Sequence, residues 1–208
     1  MPAQGEPAVT LLLRHGQTPM SVQKRYAGRT DVPLTEAGLA QAAAAAKRLA
    51  SAGIDAIVAS PLQRTVQTAE AVAAVTGLPV ATDEGFRETD FGAWDGLTFA
   101  EVRERWPSEV TAWLADPQLA PPGGESFTEV SERVTAALQR VLDGRAGQRI
   151  LIVSHVTPIK TLVTAALLAP PAALFRMHLD VAALCEIDWY ADGPAVLRSY
   201  NDTAHLAT

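Results

Sequence analysis

The strongest constraint on this chain is a set of short apolar runs, each ending abruptly in residues with chemistry. Val9 to Leu13 stops at Arg14-His15-Gly16, Ile54 to Ala59 stops at Ser60-Pro61-Leu62-Gln63-Arg64, and Arg149 to Val153 stops at Ser154-His155. Such runs suit strands buried on both faces of a parallel sheet, with helices covering each face. In open sheets of this kind, ligands bind in the crevice beyond the carboxyl ends of the strands. Three strand ends therefore deliver His15, His155, Arg14 and Arg64 to one region. An isolated Arg-His-Gly reads as a strand-to-loop turn with a satisfied histidine. Two histidines and two arginines together read as an anion site, in which His15 is a candidate nucleophile or general base.

The segments between the runs have helical character. Thr35 is a plausible N-cap for an alanine-rich helix running to about Ala52, with Gly53 as its stop. Ser60 is expected as N-cap and Pro61 as first residue of a helix ending near Thr76-Gly77, which puts Arg64 in its first turn. A short strand over Val80 to Thr82 leads into the acidic and aromatic stretch Asp83 to Gly96. Two short helices, about Thr98 to Arg105 and Ser108 to Leu114, form an inserted flap over about 97–122. The helix from Ser126 to Leu142 carries Val130, Val134, Ala137, Leu138, Val141 and Leu142 as a stripe at helical spacing. A helix over Pro158 to Leu168 follows, and residues 179–200 read as two strands meeting at Ala191-Asp192-Gly193-Pro194.

This order predicts an α/β protein: a three-layer α/β/α sandwich with a mostly parallel central sheet and a small helical flap. Residues 1–7 read as a loose leader or linker remnant, and 8–208 as a single domain. A chain of 208 residues that is 48% hydrophobic can bury a sizeable core. Its formal charge of -6, without a Lys/Arg run, argues against nucleic-acid binding, so a basic site must be local. No apolar segment approaches about 18 uncharged residues, and the N-terminus lacks the pattern of a signal peptide. A cytoplasmic protein without a membrane partner is expected. Cys185, the single cysteine, is expected as a buried structural thiol. The four histidines are scattered without ligand spacing, so neither metal nor cofactor is expected, and His178 and His205 are given surface or capping roles.

Five pieces occur in a telling order: Arg14-His15-Gly16-Gln17-Thr18, Ser60 to Ala69, Glu88-Thr89-Asp90-Phe91-Gly92-Ala93-Trp94-Asp95-Gly96, Pro122-Gly123-Gly124-Glu125-Ser126, and Ser154-His155. Together they strongly resemble the histidine phosphatase superfamily, also called phosphoglycerate mutase-like, over about Val9 to Leu168. The resemblance implies that Arg14, Arg64 and His155 grip a phosphate, that His15 attacks phosphorus to form a phosphohistidine, and that Glu88 is the general acid. By residue type alone, Asp90 and Asp95 compete with Glu88 for that role. It also places Gln17, Ser21 and Gly28 in a loop that contacts phosphate or substrate, with the Val156 amide facing phosphate. Ser21 stands where mutases usually have asparagine, and Val156-Thr157 where the family usually has glycine.

The activity implied is a metal-independent phosphomonoester hydrolase, an acid phosphatase taking a small-molecule phosphomonoester. Ser154-His155-Val156-Thr157-Pro158-Ile159-Lys160 and the chain length are most similar to α-ribazole phosphatase-like enzymes. In some actinobacteria such a domain follows a ribonuclease H domain. Fusion or independence, and monomer or homodimer, stay open. The alternatives are a phosphoglycerate mutase-type phosphotransferase and, third, a silent phospho-ligand-binding module. Mutases resembling this chain carry paired flap arginines, a tyrosine at the position of Phe91 and a lysine at that of Phe99. Here the region offers Phe91, Trp94, Phe99, Trp106 and Trp113, of which Trp113 is expected to pack the flap onto the body. Arg103 and Arg105, two apart on a helix, would diverge by about 200°. A larger, less charged leaving group, apolar or nucleoside-like, is therefore expected.

Overall fold

In a computed structural model describing residues 5–207, six strands form one sheet. Their order is β3 (Val80–Thr82), β2 (Ala56–Ala59), β4 (Arg149–Ser154), β1 (Ala8–Arg14), β5 (Leu184–Trp189), β6 (Ala195–Asp202). The pairs β2/β3, β2/β4 and β1/β4 are parallel, while β1/β5 and β5/β6 are antiparallel. The mostly parallel sheet is as the sequence predicts, and β5 and β6 form the expected closing hairpin. Of the leader expected over 1–7, residues 1–4 lie outside the described residues. The Pro7 carbonyl accepts the Gly147 amide at 3.1 Å.

Side chains alternate across β1 as the pleat requires. Leu11 and Leu13 join a core with Ala45, Leu49, Ala69 and Val72, under α2 (Glu36–Leu49) and α3 (Gln63–Thr76). Leu12 points the other way, into a core with Val134, Leu138 and Leu162 from α6 (Phe127–Leu142) and α7 (Val156–Ala166). These are the three layers. Cys185 is fully buried in the second core, and burial pushes its thiol up to about 11, which suits the structural role expected.

A short α1 (Pro19–Val22) follows the first loop and is capped by Thr18. The segment 97–122 contains α4 (Phe99–Arg105) and α5 (Pro107–Ala115), close to the expected bounds. Two helix starts differ from expectation. α3 begins at Gln63, and the Ser60 hydroxyl bonds His155 at 2.8 Å instead of capping it. The Gln63 amide is satisfied by Asp31, from outside the helix, at 2.7 Å. α7 begins at Val156, two residues before Pro158. Proline is tolerated there because first-turn amides have no intrahelical partner to lose.

The backbone just past β1 crosses the first turn of α2 at two glycines. A Cβ on Gly16 would lie 2.5 Å from the Gly38 carbonyl oxygen, and one on Gly38 would overlap the Gln17 carbonyl oxygen. This contact fixes the loop that carries His15. Gly to Ala in a helix ordinarily stabilises by roughly 0.5–1 kcal/mol. Gly38→Ala is expected to do the reverse, lowering stability by about 1–3 kcal/mol through overpacking. Calorimetric melting of the two proteins decides it, and a Tm that holds or rises refutes the close approach.

Candidate active site

The carboxyl ends of β1 and β4 open into a cavity of about 330 Å³. Arg14, His15, Glu88, Val156, Thr157 and Lys160 form its polar wall, and Tyr26, Phe91, Trp113, Phe127, Leu174 and Phe175 its apolar one. His15 is 6% exposed. Its Nδ1 lies 2.8 Å from the Gly16 carbonyl oxygen, which can only accept, so the proton of the neutral ring sits on Nδ1. Nε2 is left with a lone pair and, among the described residues, no partner. Burial, then Arg14 and Arg64, hold the His15 pKa well below its usual value, so the ring is neutral at neutral pH.

Arg14 donates to the Leu179 carbonyl at 2.6 Å, while its Nε is buried with no partner. A buried, unpaired donor is costly unless a ligand completes it. Burial foremost pushes the Arg14 pKa down to about 10. Arg64 is fully buried behind the cavity wall. It donates to the carbonyls of Thr30, Ala27 and Gly28 at 3.0, 2.8 and 3.2 Å, and through Nε to His155 Nδ1 at 3.2 Å. Four of its five N–H groups are thus committed.

That geometry corrects one expectation about His155. Its Nδ1 accepts from Arg64, so its Nε2–H donates to Ser60 Oγ at 2.8 Å, and no N–H remains for a phosphate in this arrangement. For His155 to donate from Nδ1, the Arg64 Nε–H must withdraw from it and the Ser60 hydroxyl must turn and donate to Nε2. Ser60 is therefore a site residue that the helix-cap reading concealed.

Glu88 is the one acid in the cavity wall among the described residues. Its carboxylate accepts the amides of Thr89 at 2.9 Å, Val156 at 3.1 Å and Thr157 at 3.2 Å. The N-terminus of α7 already holds an anion, and it is the protein's own. The Val156 amide consequently faces Glu88. Arg133 of α6 braces the acid's segment by donating to the carbonyls of Gly85, Arg87 and Glu88, while Glu125 pairs with it at 2.6 Å. Asp90 and Asp95 are occupied elsewhere: Asp90 with Arg29 and the Gly92 amide, Asp95 with the Gly28 and Thr30 amides.

The loop residues separate. Ser21 lines the cavity, but its side chain closes a capping box with Thr18. Gln17 lies outside the wall, its Oε1 accepting from the Thr35 hydroxyl at 2.8 Å. Gly28 also lies outside; its carbonyl receives Arg64, and a Cβ there would lie 2.3 Å from the Thr89 carbonyl oxygen. Gly28 thus positions Arg64, because only a bare backbone fits. Trp113 packs against Trp94 and Phe127 as expected and also lines the cavity, whereas Trp94 is core and Phe99 is exposed. His178 pairs with Asp180, and His205 lies 3.0 Å from the Ala182 carbonyl. The sequence reading missed Lys160 and Arg25, both in the wall. Lys160 follows Val156 by four residues, a spacing that places both on one helix face and was visible in the sequence.

A family model for the histidine phosphatase superfamily (branch 1) matches residues 10–203. A bifunctional protein of Mycobacterium tuberculosis is 49% identical over 205 residues, 98% of this chain and 56% of that protein. The chain thus spans little more than half of that relative. A probable phosphoglycerate mutase, GpmB of Yersinia pestis, is 37% identical over 94% of this chain and 93% of its own length. Among solved structures, a mycobacterial glucosyl-3-phosphoglycerate phosphatase complexed with VO3 superposes with a TM-score of 0.86 at 31% identity, covering 94% of this chain and 100% of that one. A putative alpha-ribazole-5'-P phosphatase of Escherichia coli has a TM-score of 0.86 at 28% identity, covering 94% and 97%.

The buried histidines make stability depend on pH. Folded His15 and His155 have pKa values well below the 6.5 of an unperturbed histidine, so below that pH the unfolded chain binds protons that the folded one refuses. Stability is complete above about pH 6.5 and falls below it, by up to roughly 1.4 kcal/mol per pH unit per histidine. Urea midpoints at pH 7.5 and 5.5 are expected to differ, with the lower at 5.5, and the gap is expected to shrink in His155→Gln. Equal midpoints in the unsubstituted protein would rule this out.

Proposed function

The chain belongs to the histidine phosphatase superfamily (branch 1), and on that premise we propose that it hydrolyses phosphomonoesters through a phosphohistidine formed on His15. The observation that carries this reading is the His15 ring: neutral, with its Nδ1 proton on Gly16, its Nε2 lone pair uncommitted, and the unpaired Nε of Arg14 among its neighbours.

His15 Nε2 attacks phosphorus in line as the ester bond breaks, and the Gly16 carbonyl steadies the imidazolium that forms. Arg14 neutralises the equatorial oxygens as a forked donor matched to phosphate, and Arg64 adds its charge and one remaining N–H from behind the wall, so the step needs no metal. Glu88 protonates the departing alkoxide. To do so, its carboxylate must leave the amides of Val156 and Thr157 and take up a proton, and the substrate's phosphate competes for those same amides. In the second half, Glu88 takes a proton from water, whose oxygen attacks phosphorus. The His15–phosphorus bond breaks and inorganic phosphate leaves.

The aromatic wall of Tyr26, Phe91, Trp113, Phe127 and Phe175 suits a leaving group with an apolar face or a ring. An α-ribazole phosphate-like ester fits that description, and the likeness to the Escherichia coli phosphatase supports it. Acid phosphatase activity accords with a His15 that stays neutral well below pH 6.5. The kinship with a bifunctional relative nearly twice as long accords with a phosphatase unit joined to a second unit, whose ribonuclease H nature rests on the resemblance alone. Likeness to GpmB keeps the phosphotransferase reading as the alternative. Against it, Arg103 and Arg105 are exposed and outside the cavity wall, so they are not placed to shield a phosphoenzyme or clamp a reorienting intermediate.

Rapid quench with a labelled monoester is expected to trap an acid-labile, base-stable phosphoprotein, which His15→Ala abolishes along with turnover, and EDTA is expected to leave turnover in place. Retention of most turnover in His15→Ala would end the covalent reading. With 3-phosphoglycerate, phosphate release is expected to exceed formation of the 2-isomer; isomerisation faster than release would establish the transferase instead.

A further inference from the structure

Within the hydrolase reading above, we propose that Lys160 selects substrates whose leaving group carries a second anion, a carboxylate above all, beside its apolar portion. Lys160 sits one turn along α7 from the amides of Val156 and Thr157, in the same cavity wall. Its ammonium donates to the Leu174 carbonyl at 3.2 Å and, among the described residues, forms no ion pair. Two of its three N–H groups are therefore uncommitted.

The other charges in the wall are accounted for. Arg25 is paired with Glu101 at 2.9 Å and also donates to the Gly96 carbonyl at 2.8 Å. Glu88, the single acid of the wall, is held by three backbone amides. Arg14 and Arg64 match the two charges of a phosphate dianion, and once Glu88 has taken up the proton it delivers to the alkoxide, the Lys160 charge is left over. It stands half-buried beside Leu174 and Phe175, where an unmatched ammonium is costly. Burial, then repulsion from Arg14, lowers its pKa against the attraction of Glu88, which is lost when Glu88 is protonated. An anion on the leaving group would offset that cost and gain a charge-assisted hydrogen bond. A phosphate alone would not, because its oxygens are served by the arginines and the α7 amides one turn away.

A leaving group of this kind keeps the apolar portion that suits the aromatic wall but departs from the weakly charged, α-ribazole-like one, because Lys160 is a cation outside the 97–122 segment. One lysine can orient a carboxylate without shielding a phosphoenzyme from water, so hydrolysis still follows.

The test compares phenyl phosphate with 3-carboxyphenyl phosphate. Titration calorimetry on the non-turning-over His15→Ala protein is expected to show about tenfold tighter binding of the carboxylated ester. Adding Lys160→Met should abolish that preference, whereas adding Lys160→Arg should keep most of it. No preference at the outset, or equal weakening of both esters by Lys160→Met, overturns the proposal, since a structural or phosphate-binding lysine acts on both alike. Phosphate release from the two esters by the unsubstituted protein is measured alongside. A binding preference lost in Lys160→Met but unaccompanied by hydrolysis of either ester would sustain the Lys160 assignment and refute the hydrolase reading.

Discussion

Arg64 carries a full positive charge with none of its surface exposed, and much of the site is arranged to make that tolerable. A buried guanidinium must have its donors met, and here three backbone carbonyls and one imidazole meet them. The loop over Ala27 to Thr30 is bent to present those carbonyls. Asp95 holds the bend by accepting the amides of Gly28 and Thr30, and Gly28 must lack a side chain because Thr89 presses against it. Thus a charge on α3, a loop after β1 and an acidic segment after β3 are locked together by one side chain. The His155 tautomer is set by the same contact.

The consequence is a small region with more cations than anions. In the cavity wall and just behind it, Arg14, Arg64 and Lys160 share the one wall carboxylate, Glu88, with Asp180, Asp31 and Asp95 acting on the arginines from outside it, while both histidines are kept neutral by burial and by the arginines. Such an imbalance inside an acidic protein is an electrostatic cost to the empty fold and an attraction for a dianion. Glu88 relieves part of it by sitting on the amides at the head of α7, where its carboxylate occupies the position of an anion. In the proposed mechanism binding and proton transfer are coupled, because what the phosphate would gain from those amides Glu88 would give up.

The apolar wall has a different origin. Trp94 and Trp113 meet edge to face at 5.3 Å, and Trp113 stacks on Phe127 at 4.8 Å, so α5 is seated on α6 by aromatic packing. The faces of Trp113 and Phe127 that are not consumed by packing, with Tyr26, Phe91 and Phe175, line the cavity, where the proposed leaving group would lie. Seating the 97–122 segment and building the apolar cavity wall are therefore one act of packing.

The sequence by itself determined the architecture and most of the polar centre. Short apolar runs, cap residues and helical stripes are local properties, so the strands, the helices and the delivery of Arg14, His15, Arg64 and His155 to the strand ends could be read residue by residue. Glu88 was legible only by resemblance, with Asp90 and Asp95 standing as rivals on residue type. What the sequence left undetermined depends on partners far away along the chain. Ser60 looks like a helix cap until His155 arrives 95 residues later to take its hydroxyl. Glu88 looks like a loop charge until the α7 amides come from 68 and 69 residues beyond. Gln17 and Gly28 look like ligand contacts until Thr35 and Arg64 claim them. A hydrogen bond forms wherever donor and acceptor meet at about 3 Å, and only the packed sheet and its two helical layers decide which of the locally equivalent groups meet.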